Sequence, residues 1–123
     1  MAEYLITYDL KKTDPSPYRI FLDECEKEDL LYIYKGSSSL LRLPNSTVWG
    51  NFTNKTAARS AFSRAQAAAE KALGRKIILE KRVITKIDDA FFLSDKSKPP
   101  EPKWTKSTSL ETCRAHQLND PFF

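Results

Sequence analysis

Apolar residues recur along this chain in two rhythms, one suited to strands and one to helices. Tyr4 to Asp9 (YLITYD) is rich in β-branched and aromatic residues on both parities, which predicts a central strand. Lys11 to Asp14 read as a loop. Ser16-Pro17 then has the form of an N-cap followed by proline at the first helical position. Tyr18, Phe21, Leu22 and Cys25 follow at i, i+3, i+4 and i+7, so the spacing predicts an amphipathic helix ending near Glu28. Leu30 to Lys35 predicts a second strand, which Gly36 breaks or bulges and Ser39 to Leu43 resumes. After a Pro44-Asn45-Ser46 turn, Thr47 to Thr53 predicts a third strand, a hairpin partner of the second. Gly50 inside it marks a bulge or a close backbone approach.

Asn54 to Leu73 carries the clearest pattern. Ala58, Ala61, Phe62, Ala65, Ala68, Ala69 and Ala72 make one helix face, Thr53 or Asn54 caps the start, and Gly74 fits the C′ position. So many alanines imply close packing on a sheet. Arg75 to Ile87 predicts a long alternating strand with Ile77, Leu79 and Val83 on one face and Glu80, Arg82 and Lys86 on the other. The order strand, helix, strand, strand, helix, strand predicts an α+β, ferredoxin-like βαββαβ domain over residues 1–93. Its four-stranded antiparallel sheet would carry both helices on one face and leave the other open. Residues 94–123 form a C-terminal extension holding four of the seven prolines, which predicts irregular structure. Its Trp104, Leu110, His116, Phe122 and Phe123 call for docking on the domain or on a partner protomer.

Composition narrows the function. The chain has 123 residues, 41% hydrophobic, enough for a packed core and against wholesale disorder. No apolar run reaches the roughly 18 residues of a membrane span, and the N-terminus lacks signal-peptide features, so a cytoplasmic protein is expected. A net charge of +4 permits RNA or DNA binding without demanding it. Candidate phosphate contacts are Lys55, Arg59, Arg64, Arg75, Lys76, Arg82 and Lys86, and Tyr8 and Trp49 are candidate stacking rings. Cys25 and Cys113 are too few for a disulfide scaffold, no Cys/His cluster suggests zinc, and no phosphate-binding loop is present. His116, the only histidine, reads as structural. Asp9 ends the first strand at the sheet rim, where a carboxylate suits a hard cation such as Mg²⁺. A two-fold dimer would bring two copies of it together. As an alternative, Asp9 caps a loop or pairs with Lys11 or Lys12.

The run Tyr4-Leu5-Ile6-Thr7-Tyr8-Asp9-Leu10 resembles the opening of the small ferredoxin-like CRISPR-associated adaptation protein. It resembles more closely that family's SinR-type and virulence-associated relatives, whose chains begin Tyr-Leu-Ile-x-Tyr-Asp. Leu43 to Trp49 is similar to their second-to-third strand hairpin. The resemblance covers residues 3–90 as architecture and the first seven or so as motif. It implies a homodimeric, metal-dependent nuclease of the endoribonuclease or phosphodiesterase type, with Asp9 as metal ligand and catalytic residue. The alternative is a non-catalytic dimeric module of the same fold binding nucleic acid or a partner protein, or the toxin of a toxin–antitoxin pair. The long broken segment Leu30 to Leu43 and the tail from Ser94 depart from the family pattern.

Overall fold

The computed structural model describes residues 1–120, so Phe122 and Phe123 lie outside the described residues. The chain is α+β, with helices α1 (Tyr18–Lys27), α2 (Lys55–Leu73) and α3 (Ser109–Asn119). The strands are β1 (Ala2–Leu10), β2 (Ile33–Lys35), β3 (Leu40–Arg42), β4 (Thr47–Phe52), β5 (Leu79–Lys86) and β6 (Ser97–Lys98). They form two antiparallel three-stranded sheets, ordered β4-β1-β5 and β2-β3-β6.

The single four-stranded sheet expected from the sequence is therefore not formed. The second predicted strand touches the first sheet through one bridge, Leu31 to Trp49. Gly36 does not interrupt a continuing strand. Its N–H donates to the Ser39 carbonyl at 2.9 Å, closing a tight turn that folds β3 back on β2. Closing a loop of a few residues costs little chain entropy, so local pairing takes these residues out of the larger sheet.

α1 and α2 pack on one face of the first sheet. Tyr4, Ile6, Tyr8, Val48 and Ile84 from the strands meet Phe21, Cys25, Ala58, Ala61, Phe62 and Ala65 from the helices. The alanine stripe lets α2 lie close, though Ala72 ends up exposed. Asn54 Oδ1 accepts from the Ala57 N–H at 2.8 Å, and Gly74 takes the left-handed conformation at φ 79° that ends the helix. At α1, the Ser16 hydroxyl accepts from the Tyr18 amide. The Tyr18 hydroxyl closes the end of β1 by pairing with both backbone groups of Leu10.

β5 holds the second departure from expectation. It begins at Leu79 rather than Arg75, and Glu80 is an extra residue. Asp9 pairs with Lys81 while Leu10 pairs with Leu79. A bulge of one residue exchanges the faces of everything beyond it. Leu79 packs toward the helices, but Val83 falls on the opposite face and is 57% exposed. Arg82 and Ile84 take the helix side, opposite Tyr8 and Ile6.

The other face of the first sheet is half covered by the chain itself. Leu31, Ile33, Tyr34, Leu40, Leu43 and Trp49 form a second core with Cys113 of α3, joined at its margin by Leu5 and Phe92. Residues 94–120, expected to be irregular, contain β6, a 3-10 turn (Pro102–Trp104) and α3. Arg114 of α3 pairs with the Glu26 and Asp29 carboxylates. Burial lowers its pKa, but the hydrogen bonds to those two carboxylates outweigh this and raise it overall. The Gln117 carboxamide oxygen accepts from the Tyr32 amide at 2.8 Å. His116 is wholly buried, with Nδ1 on the Thr112 carbonyl and Nε2 accepting from the Glu101 N–H. Nε2 can accept only as a bare ring nitrogen, so the proton sits on Nδ1, and the ring is a structural tie rather than a catalytic base.

Candidate functional site

The open half of the first sheet is built by the odd-numbered residues of β1 and β5. Thr7, Asp9, Lys81, Val83 and Thr85 all face away from the helices and are exposed. Asp9 lies opposite Lys81 and therefore faces a cation rather than a second carboxylate. Among the described residues, no group of three or more His, Cys, Asp or Glu side chains is gathered as a metal site.

Beside this half-face runs a groove of about 430 Å³, lined by Leu5, Thr7, Leu43, Thr47, Phe92 and Leu93, with Phe91 at its rim. Phe91 and Leu93 stand fully in water. Phe92 turns inward and stacks on Tyr34 at 4.6 Å between ring centroids. The Tyr34 hydroxyl donates to Glu3 at 2.6 Å, and burial together with this hydrogen bond raises its pKa. Of the adjacent pair, only Phe92 packs on the second core.

Neither candidate stacking ring is available on the surface. Tyr8 is 3% exposed, packed between Phe21 and Phe62 beneath the helices. Trp49 is wholly buried in the second core, its indole N–H donating to the Ile33 carbonyl. Aromatic residues in a central sheet gain more from burial than from presenting a face to solvent.

The Tyr8 hydroxyl has no hydrogen-bond partner, and burial raises its pKa, helped by Cys25 and Tyr18. An unpartnered buried hydroxyl costs stability. Tyr8→Phe is thus expected to stabilise the protein by about 1 kcal/mol. A urea titration checks this, and a lower midpoint would show that the hydroxyl is satisfied in solution.

The seven candidate basic residues are spread over α2, the loop before β5 and β5 itself. Lys55 and Arg59 lie exposed on the first turns of α2. Arg64 is paired with Glu28 at 2.7 Å. Arg75 donates to the Thr13 hydroxyl and the Pro15 carbonyl, tying down the loop before α1. Lys76 is exposed in the loop before β5. Arg82 lies 5.3 Å from the Phe62 ring centre, and Lys86 follows on the same side of β5. Arg82 and Lys86 thus share one face of β5, while Arg64 and Arg75 are committed to intramolecular bonds.

Both cysteines are buried and free. Burial pushes the Cys113 thiol up to about 12, partly offset by Lys35, which leaves it unsuited to nucleophilic work. The exposed apolar rim of Phe91 and Leu93 was not foreseen, though both are apolar residues in a polar stretch.

Among the described residues no helix is long and apolar enough to cross a membrane. No protein-family model matches the chain, and searches of curated proteins and of solved structures find no match either.

Proposed function

We propose that this chain is a non-catalytic, homodimeric binding module of ferredoxin-like type, taking a protein partner on the open half of its first sheet. One observation carries the reading. Phe91 and Leu93 stand exposed on a groove lined mainly by apolar side chains. Contiguous exposed apolar surface of this kind marks interaction sites. The lining matches an aliphatic or aromatic side chain of a protein partner. The scattered basic residues favour nucleic acid less.

The ferredoxin-like reading is supported by strand order. Counting Leu31 as the outermost member gives β5-β1-β4-Leu31 with both helices on one face. It departs from that type in the reduced second strand.

The competing reading is a Mg²⁺-dependent nuclease, or a toxin with the same chemistry. It draws on Asp9 being exposed at the sheet rim and requires a second carboxylate from another copy. Incubation of wild type and Asp9→Asn with RNA and DNA, with Mg²⁺ or Mn²⁺, separates the two. We expect no cleavage by either protein. Metal-dependent cleavage by wild type that disappears in Asp9→Asn, with the circular dichroism unchanged, would overturn the binding-module reading. The double variant Phe91→Ser/Leu93→Ser should also lose most binding of a hydrophobic fluorescent dye, and unchanged dye binding would remove the groove as a site.

A further inference from the structure

β5 has only one strand neighbour. Its pairing with β1 is continuous, and among the described residues no strand lies along its other edge. The far edge of the sheet differs, because Leu31 there exchanges both backbone hydrogen bonds with Trp49. An eight-residue edge strand without proline or glycine is an open template for another strand.

We propose that β5 pairs antiparallel with β5 of a second copy, in the one register centred on Val83. This deepens the homodimeric part of the reading above and is independent of the protein partner.

Backbone parity limits the choice first. The Ile87 N–H donates to the Glu3 carbonyl, and the Tyr8 N–H, of even parity, turns to Ser46 on the β4 side. The odd residues of β1 therefore bond the odd residues of β5, namely Lys81, Val83 and Thr85. The N–H and C=O groups of Arg82, Ile84 and Lys86 are left pointing outward, with Glu80 at the bulge closing the run. A second β5 can bond this edge only by setting even residues against even residues.

Charge selects among those registers. Centred on Val83, Glu80 faces Lys86 of the second copy, twice by symmetry. Arg82 faces Ile84, Lys81 faces Thr85, and no like charges meet. A slip of two residues one way sets Arg82 against Arg82. The same slip the other way sets Arg82 against Lys86 twice and Glu80 against Asp88. Directly opposed like charges destabilise a ladder, and opposite charges support it. Arg82 and Lys86, with Glu80, thus guard the edge against every near register but one.

The product is a six-stranded sheet, β4-β1-β5-β5-β1-β4. Val83 and its symmetry mate form the central non-hydrogen-bonded pair, with Cα atoms about 4.5 Å apart. The exposed Val83 side chain is thereby covered. The two Asp9 carboxylates end up roughly 20 Å apart, from three strand spacings of about 4.8 Å and four residues of rise at about 3.4 Å. They cannot share a cation at that distance, so this dimer also disfavours the nuclease reading.

Sedimentation equilibrium of the full chain tests the proposal. Wild type should reach twice the chain mass at micromolar concentration. Glu80→Lys should weaken the dimer about tenfold or more, since two attractive pairs become repulsive. The exchange Glu80→Lys/Lys86→Glu should restore it. Val83→Cys should form a covalent dimer under mild oxidation, because a non-hydrogen-bonded pair has the Cα separation a disulfide needs. Thr85→Cys, facing Lys81 of the second copy, should remain reduced. A monomer at every concentration, a dimer indifferent to Glu80→Lys, or faster cross-linking through Thr85→Cys would overturn the proposal. None of these results bears on dye binding at the groove, so failure here and failure of the partner-binding reading stay distinguishable.

Discussion

Replacing Trp49 with alanine is expected to destabilise the protein by about 3–5 kcal/mol, the usual cost of emptying a fully buried aromatic site. Trp49 is the largest wholly buried side chain. It meets Tyr34 edge-on at 5.0 Å, and its indole N–H satisfies the Ile33 carbonyl. The truncation therefore opens a cavity and also strands a buried acceptor. The backbone bridge to Leu31 does not involve the side chain and should survive. Urea unfolding followed by far-UV circular dichroism reads the loss directly, and Trp104 remains as the fluorescent reporter in the variant. A change below about 1 kcal/mol would mean that the second core collapses onto the space or is not packed in solution.

Gly50→Ala, one residue along, should cost about 3 kcal/mol or more through overpacking. A Cβ at this position would stand 2.4 Å from the Asp29 carbonyl oxygen and 2.7 Å from Phe52 Cε2. The Phe52 ring can swing aside. Asp29 cannot move freely, because it is held at φ 63° with its N–H on Glu26 and its carboxylate on Arg114. Shifting it would disturb the pairing that fixes α3 to the end of α1. Gly36→Ala provides the control, since its Cβ would meet nothing closer than 3.5 Å. The control should fall within about 0.5 kcal/mol of wild type. Equal destabilisation by both substitutions would place the cost in strand propensity rather than in the close approach.

The glycine itself was readable as a sign of close approach or bulge, and the regular pairing of Gly50 with Tyr4 decides for close approach. α2 was readable in full, because its alanine stripe, Asn54 and Gly74 are local signals that agree. β1 and α1 were readable for the same reason. What escaped depends on relations between distant residues. Nothing local distinguishes a strand resuming after Gly36 from one turning back, since both leave Leu40 and Leu41 apolar. The bulge at Glu80 arises from how β5 meets β1, and alternation alone placed Val83 with Leu79. α3 escaped because its buried residues, Thr112, Cys113 and His116, are small or polar and draw no apolar stripe. At the candidate site, the position of Asp9 at the rim could be read from the end of the apolar run. Its facing Lys81 could not, and neither could the burial of Tyr8 and Trp49, because a sheet buried on both sides gives its aromatics no polar partners to mark the face.

The extra residue at Glu80 also bears on how this gene can vary. Substitutions in β5 alter one side chain at a time and leave the two faces as they are. A change in length inside the paired run does not. Deleting Glu80 alone would remove the bulge and leave Leu79, Lys81 and Val83 on the faces they already hold, whereas deleting one codon between Lys81 and Thr85 would carry the residues on one side of the gap to the opposite face. The core would have to accept every exchange at once. Descendants of this sequence should therefore be free in the composition of the strand and held to the length of Lys81 to Lys86, so that a count of those residues would separate relatives sharing this surface from those that merely share the fold.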